Sequence, residues 1–247
     1  MVQKRFVSGL LLSATLFSSP LVLAATAQDN TPVTPAPLHK DSYSVDSLYY
    51  LPPPPKEGDE AFENDKAAYR NGYKLKGSER WQQAAEDADL HQANQAKVWS
   101  KALGVNISEA ETPETWKLLG EMLVVGGGYA PNRAKEHYMR TRPFVVFNHS
   151  TCLPADEPAL RKNGSYPSGH TSYGTLTALA LSQAKPERAK ELMKRGYEFG
   201  QSRVICGAHW QSDVDAGRYV GATEFARLET LPEFKKQLDK VKAELHG

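Results

Sequence analysis

Two histidines sit in segments whose neighbours come from a narrow set of residue types. His209 lies in Ser202-Arg203-Val-Ile-Cys-Gly-Ala-His209-Trp-Gln-Ser-Asp213. On a helix or a tight turn, a carboxylate four residues on accepts a hydrogen bond from one imidazole nitrogen and leaves the other as a directed lone pair. That arrangement makes a nucleophile. His-x-x-x-Asp also suits metal ligation, with His137 and His170 as further donors. Lys135, Arg142 and Arg203 argue against a cation, because they would crowd it with positive charge. A phosphoryl group requires those same charges, so no metal and no cofactor is expected.

Lys135 and Arg142-Pro143 bound a second segment. Two helical turns separate the lysine from the arginine, which predicts one shared helix face and a paired ammonium and guanidinium for a phosphate dianion. Alone, the pair reads as two solvated surface charges. The third segment is Gly164-Ser-Tyr-Pro-Ser168-Gly169-His170-Thr171. It precedes an apolar run, which places Ser168 and Gly169 at a helix N-terminus with free backbone N–H groups and the positive dipole end. Glycine there permits an anion to approach the backbone. The plainer reading makes Ser168 an N-cap and His170 a polar first-turn residue. A serine-hydrolase elbow fails, because Gly-x-Ser-x-Gly needs glycine where Tyr166 stands.

Helices must position these groups. Trp81, Ala84, Ala85, Ala88, Trp99 and Leu103 fall mostly at three- and four-residue steps, with Gly104 as a stop. Thr112-Pro113 predicts a capped helix start, and Gly126-Gly127-Gly128 its end. Further helices are expected over Pro131–Arg142, closed by Pro143, and over His170–Ala184, Pro186–Cys206, Asp213–Leu228 and Pro232–His246. The last carries Phe234, Leu238, Val241 and Leu245 on one stripe. No strand-like alternation of useful length appears. The expected class is all-α: one compact multi-helix domain over 59–247, preceded over 25–58 by an extended Pro-rich arm containing Leu51-Pro52-Pro53-Pro54-Pro55.

The first 24 residues read as a secretory signal peptide: Lys4 and Arg5, a short apolar run, then small residues ending at Ala24-Ala25. Ser13, Ser18, Ser19 and Pro20 interrupt that run, which argues against a membrane anchor. Cleavage removes two basic residues and no acidic ones, so the net charge of +1 stays near neutral. Such a chain has no basic carpet for nucleic acid or an anionic membrane. A composition of 40% hydrophobic and 24% charged residues excludes wholesale disorder. In an oxidising compartment the two cysteines, Cys152 and Cys206, predict one disulfide. A soluble periplasmic or secreted bacterial protein and a homo-oligomer are expected.

Taken together, the three segments resemble the signature of the type-2 phosphatidate phosphatase superfamily, which also includes vanadium haloperoxidases. The defining positions are Lys135, Arg142, Pro143, Pro167, Ser168, Gly169, His170, Ser202, Arg203, His209 and Asp213. The wider stretches 164–171 and 200–215, with the leading Leu-Pro-Pro-Pro-Pro, look like bacterial class A non-specific acid phosphatases from about residue 45 to the C-terminus. The resemblance implies an all-α phosphatase and a role for each residue. His209 attacks phosphorus and forms a phosphohistidine, Asp213 orients it, and His170 protonates the leaving alcohol. Lys135, Arg142, Ser168, Gly169 and Arg203 hold the phosphoryl oxygens. It implies a vanadate-sensitive, metal-independent hydrolase of small phosphomonoesters such as nucleotides, sugar phosphates and aryl phosphates, with phosphotransferase activity as an extension. An exported nucleotide pyrophosphatase on the same scaffold is the alternative. A haloperoxidase would be a longer chain, a lipid-phosphate phosphatase would have membrane spans, and a mere phosphate-binding module would need no nucleophile.

Overall fold

Small residues let a helix sit at the centre of others, and Gly169–Ala184 is such a helix. A computed structural model describes residues 44–247; the expected signal peptide and the first part of the expected arm lie outside them. In chain order the helices are α1 (Ser47–Tyr50), α2 (Glu60–Tyr73), α3 (Glu79–Ala88), α4 (Gln92–Leu103), α5 (Pro113–Met122), α6 (Ala130–Tyr138) and α7 (Pro143–Val146). They continue with α8 (Glu157–Leu160), α9 (Gly169–Ala184), α10 (Ala189–Ile205), α11 (Gln211–Leu228) and α12 (Pro232–His246). No strand occurs among the described residues, and the all-α class holds.

α9 buries Leu176, Ala178, Ala180, Leu181 and Ala184, and α10 and α11 pack along it. Beside them Trp99, Tyr173 and Phe199 are fully buried, with the Trp99 indole N–H donating to the Tyr173 hydroxyl at 3.0 Å. The stripe on α12 is buried as its periodicity predicts, each large side chain contributing about 1.5–3 kcal/mol. Gly104 ends α4 in the left-handed conformation, φ 75°.

Three local expectations give way to tertiary contacts. The Gly126–Gly128 triplet does not stop α5; the chain continues through a π-helical segment, Leu123–Tyr129, straight into α6. The glycines serve close packing, since a Cβ on Gly126 would stand 2.9 Å from the Tyr173 Cα on α9. Thr112 does not cap α5, because its hydroxyl turns to the Ser108 carbonyl. The Glu244 carboxylate of α12 instead accepts from the Glu114 and Thr115 N–H groups, both at 2.8 Å. α6 ends at Tyr138 rather than Arg142, with Met139 left-handed at φ 42°. Tertiary bonds claim the backbone beyond it: Ser165 N–H donates to the Arg140 carbonyl, and the Trp210 indole donates to the Thr141 carbonyl.

The described end of the Pro-rich segment lies against the helices. It includes the single turn α1, which the absence of periodicity did not predict, and Asp46 caps that turn. Leu51 is buried, and the Tyr166 hydroxyl donates to the Pro52 carbonyl at 2.8 Å.

Candidate active site

The first turns of α9 and α11 are joined through the backbone, Ser168 N–H donating to the Asp213 carbonyl at 2.9 Å. This brings His170, in the first turn of α9, near His209, which immediately precedes the Trp210 N-cap of α11. Asp213 occupies the third position of α11. Its Oδ2 accepts from the Trp210 N–H at 2.8 Å and lies 3.4 Å from His209 Nδ1. At that separation the carboxylate is a charge partner of the ring, and Nδ1 makes no hydrogen bond among the described residues.

Arg142 lies outside α6, in extended backbone at φ −77° and ψ 150°, so it does not share a helix face with Lys135. Both side chains nevertheless converge on the Gly164 carbonyl, Lys135 Nζ at 3.0 Å and Arg142 at 3.2 Å. Arg142 also donates to the Leu160 and Asn163 carbonyls and to Ala208 O, and at 2.9 Å to His209 Nε2. A guanidinium has no acceptor, so Nε2 carries a lone pair and the neutral ring keeps its proton on Nδ1, facing Asp213. A lone pair held by a guanidinium is also a hostile position for a metal cation. His137 is exposed, its ring edge-on to Tyr138.

One detail at α9 differs from the expectation of free backbone donors, and another adds to it. The Ser168 N–H is not free, being bound to Asp213, and the hydroxyl caps the helix by accepting from Thr171 N–H. Gly169 is needed for packing: a Cβ there would meet the Gly127 carbonyl at 2.7 Å. His170 is half-buried, and its Nε2 donates to the Ala88 carbonyl at 3.0 Å, which leaves Nδ1 as the nitrogen available for proton transfer.

The electrostatics follow from burial of like charges. Burial, and then Arg142, Lys135 and Arg203, holds His209 well below the ordinary imidazole range. Burial, followed by Arg203, depresses His170 in the same way. Burial and the Arg142 charge also push Lys135 well down. Burial lowers Arg142 to about 10, and burial with Arg142 lowers Arg203 to about 9. A phosphate anion placed among them relieves this repulsion.

Several supporting residues carried no signal in the sequence. Asp87 is fully buried; it accepts from Ser202 Oγ at 2.5 Å and pairs with Arg195. It thereby ties the residue before Arg203 to the residue before Ala88, whose carbonyl holds His170. Arg140 links Asp213 to Asp65. These contacts join positions dozens of residues apart, and none has a local pattern to mark it. Next to Ala88 opens a cavity of about 540 Å³ with Leu90, His91, Leu153 and Asp156 on its walls. Neither this cavity nor a larger surface cavity of about 850 Å³, lined by Arg80, Lys97 and Arg195 among others, includes any of the motif residues.

Residues 115–228 match the PAP2 superfamily. The chain is 60% identical to a non-specific acid phosphatase of Salmonella typhimurium over 94% of its own length and 91% of the relative's. It is 49% identical to a non-specific acid phosphatase of Providencia stuartii, over 92% and 93%. It is 36% identical to an acid phosphatase of Zymomonas mobilis, over 98% and 90%. The chain therefore belongs to the class A non-specific acid phosphatases of the PAP2 superfamily, a family of phosphomonoester hydrolases.

Proposed function

We propose that this phosphatase is an exported, metal-independent acid phosphatase that hydrolyses a broad range of small phosphate monoesters through a phosphohistidine on His209. The observation that carries the reading is the environment of that ring: Nε2 accepts from Arg142 at 2.9 Å while Nδ1 faces Asp213. The phosphoryl oxygens lie among Lys135, Arg142 and Arg203, with Ser168 and Gly169 at the head of α9. Nε2 attacks phosphorus in line, and the P–O bond to the leaving group breaks. His170 Nδ1 gives its proton to that oxygen. Asp213 stabilises the positive ring that forms. Water then attacks the phosphohistidine, His170 takes the water's proton, and the N–P bond breaks to release phosphate and restore the neutral His209.

The fixed cations do here what metal ions do in other phosphoryl-transfer sites. The low pKa of His209 keeps its lone pair available in an acidic medium; burial and Arg203 depress His170 as well, so the negative charge of the bound phosphate is what lets His170 hold the proton it donates. The relatives named above are acid phosphatases, which leaves the pyrophosphatase alternative without support. Export rests on the N-terminal signal and on the Cys152–Cys206 disulfide; no helix among the described residues is long and apolar enough to cross a membrane.

The test is phosphate release from aryl, sugar and nucleotide monophosphates by the purified mature protein, with and without EDTA, together with acid-quench trapping of the phosphoenzyme. Activity that survives EDTA, falls with vanadate and passes through an acid-labile phosphohistidine is the expected result. Complete loss in EDTA, restored by zinc or magnesium, overturns it.

A further inference from the structure

The carboxylate that faces His209 is itself held by a buried cation that lies outside the phosphoryl clamp. Arg140 Nη1 donates to Asp213 Oδ1 and to Ser212 Oγ, both at 2.7 Å. Its Nη2 donates to Asp65 Oδ2 at 2.8 Å and to the Pro55 carbonyl at 3.0 Å. Asp65 in turn accepts from Ser212 N–H at 2.8 Å and from Ser212 Oγ at 2.6 Å. The three charged side chains are nearly solvent-free, at 8% exposure for Arg140, 3% for Asp65 and 0% for Asp213. The guanidinium also lies over the Phe62 and Trp210 rings, which fix its plane.

A full positive charge on Asp213 would weaken the hold of that carboxylate on an imidazolium. A second carboxylate behind the guanidinium returns part of it. We infer that Arg140 and Asp65 are positioning residues for the phosphatase reaction: Arg140 fixes the Asp213 carboxylate toward His209, and Asp65 sets how much of that carboxylate's charge the imidazole feels. The chain Asp65–Arg140–Asp213–His209 then runs from α2 to the nucleophile, and the Pro-rich segment closes it at Pro55. The inference rests on Asp213 being the orienting carboxylate of His209. Lys135, Arg142, Arg203 and His170 also face the His209 ring. None of these changes in the variants that follow.

Arg140→Gln removes a positive charge near His209, and Asp65→Asn removes a more distant negative one. Long-range Coulomb effects therefore move the His209 pKa up in the first and down in the second. Loss of shape alone gives no such opposition. The experiment is a ¹⁵N-histidine NMR titration of His209 in full-length mature wild type and both variants, with kcat and KM on an aryl phosphate. Opposite pKa shifts, with kcat down about 10–100-fold and KM held within about twofold, are expected. Arg140→Lys should return the His209 pKa toward the wild-type value while only partly restoring kcat, because it keeps the charge and loses the fork. Shifts of the same sign in folded variants, or none, overturn the proposal. If Arg140→Gln does not fold, Asp65→Asn decides alone, and an unmoved or raised His209 pKa overturns it. Trapping the wild-type phosphoenzyme separates the two readings: a phosphoryl group on another residue refutes the nucleophile assignment, whereas the titration reports the Arg140–Asp65 coupling in either case.

Discussion

Arg142 donates to His209 Nε2 at 2.9 Å, so the atom assigned to attack phosphorus is held by a group assigned to grip the phosphate. On binding, the guanidinium must exchange the ring nitrogen for phosphoryl oxygens. Arg142→Ala removes both contacts. Its expected effect is a fall of about 10²-fold or more in kcat/KM, with weaker inhibition by phosphate. Unchanged phosphate inhibition, measured with an aryl phosphate substrate, would remove Arg142 from the clamp.

His209→Ala should abolish turnover, a loss of about 10⁴-fold or more in kcat, since the other imidazole of the site, His170, is assigned to proton transfer and not to attack. Asp213→Asn should lower kcat far more than phosphate affinity, because the carboxylate orients the ring rather than touching phosphate. Steady-state kinetics with phosphate as competitive inhibitor separates the two effects. A kcat near wild type for either variant speaks against its assigned role.

The depressed imidazoles make ligand-free stability depend on pH. Both His209 and His170 titrate lower in the folded chain than unfolded. Their contribution is present above about pH 6.5 and is lost as pH falls below it, where the unfolded chain binds protons that the folded chain refuses. Glu121 and Glu224, raised to about 7 by burial, act in the opposite sense: their contribution is full below the ordinary carboxylate range and lost as pH rises through about 7. Phosphate distinguishes the two pairs. It raises the histidine pKa values and lies remote from the glutamates in the proposed site. Inorganic phosphate should therefore raise Tm more at pH 5 than at pH 8, with proton uptake on binding seen by calorimetry in buffers of different ionisation enthalpy. Equal Tm shifts and no proton uptake would refute this linkage.

The Cys152–Cys206 disulfide closes a separation of 54 residues and ends α10 three residues beyond Arg203. Chain-entropy arguments place its contribution at about 4 kcal/mol. Reduction, or Cys152→Ser with Cys206→Ser, should lower stability to denaturant by a comparable amount and loosen Arg203, raising KM. Chemical denaturation with and without reductant tests this; identical midpoints would show that the bridge is energetically idle.

Local chemistry was legible in the residues themselves. The stripe on α12, the left-handed stop at Gly104 and the apolar run of α9 follow from periodicity and backbone preference, which act over a few residues. The types and spacing of His209, Asp213, His170, Lys135, Arg142 and Arg203 point to phosphoryl chemistry. Only the tertiary structure decided how they meet. Lys135 and Arg142 converge through the Gly164 carbonyl and not through a common helix, because tertiary hydrogen bonds take the backbone after Tyr138. The glycine triplet continues a helix because α9 presses against it. Arg140, Asp65, Asp87 and the Ala88 carbonyl join the site from remote positions, and the buried ion pairs by which Arg140 bridges Asp65 of α2 and Asp213 of α11 leave no periodic trace in the chain. Short-range preference chose the elements and the reacting groups; long-range burial of charge chose their partners, because only folding brings such groups out of water together.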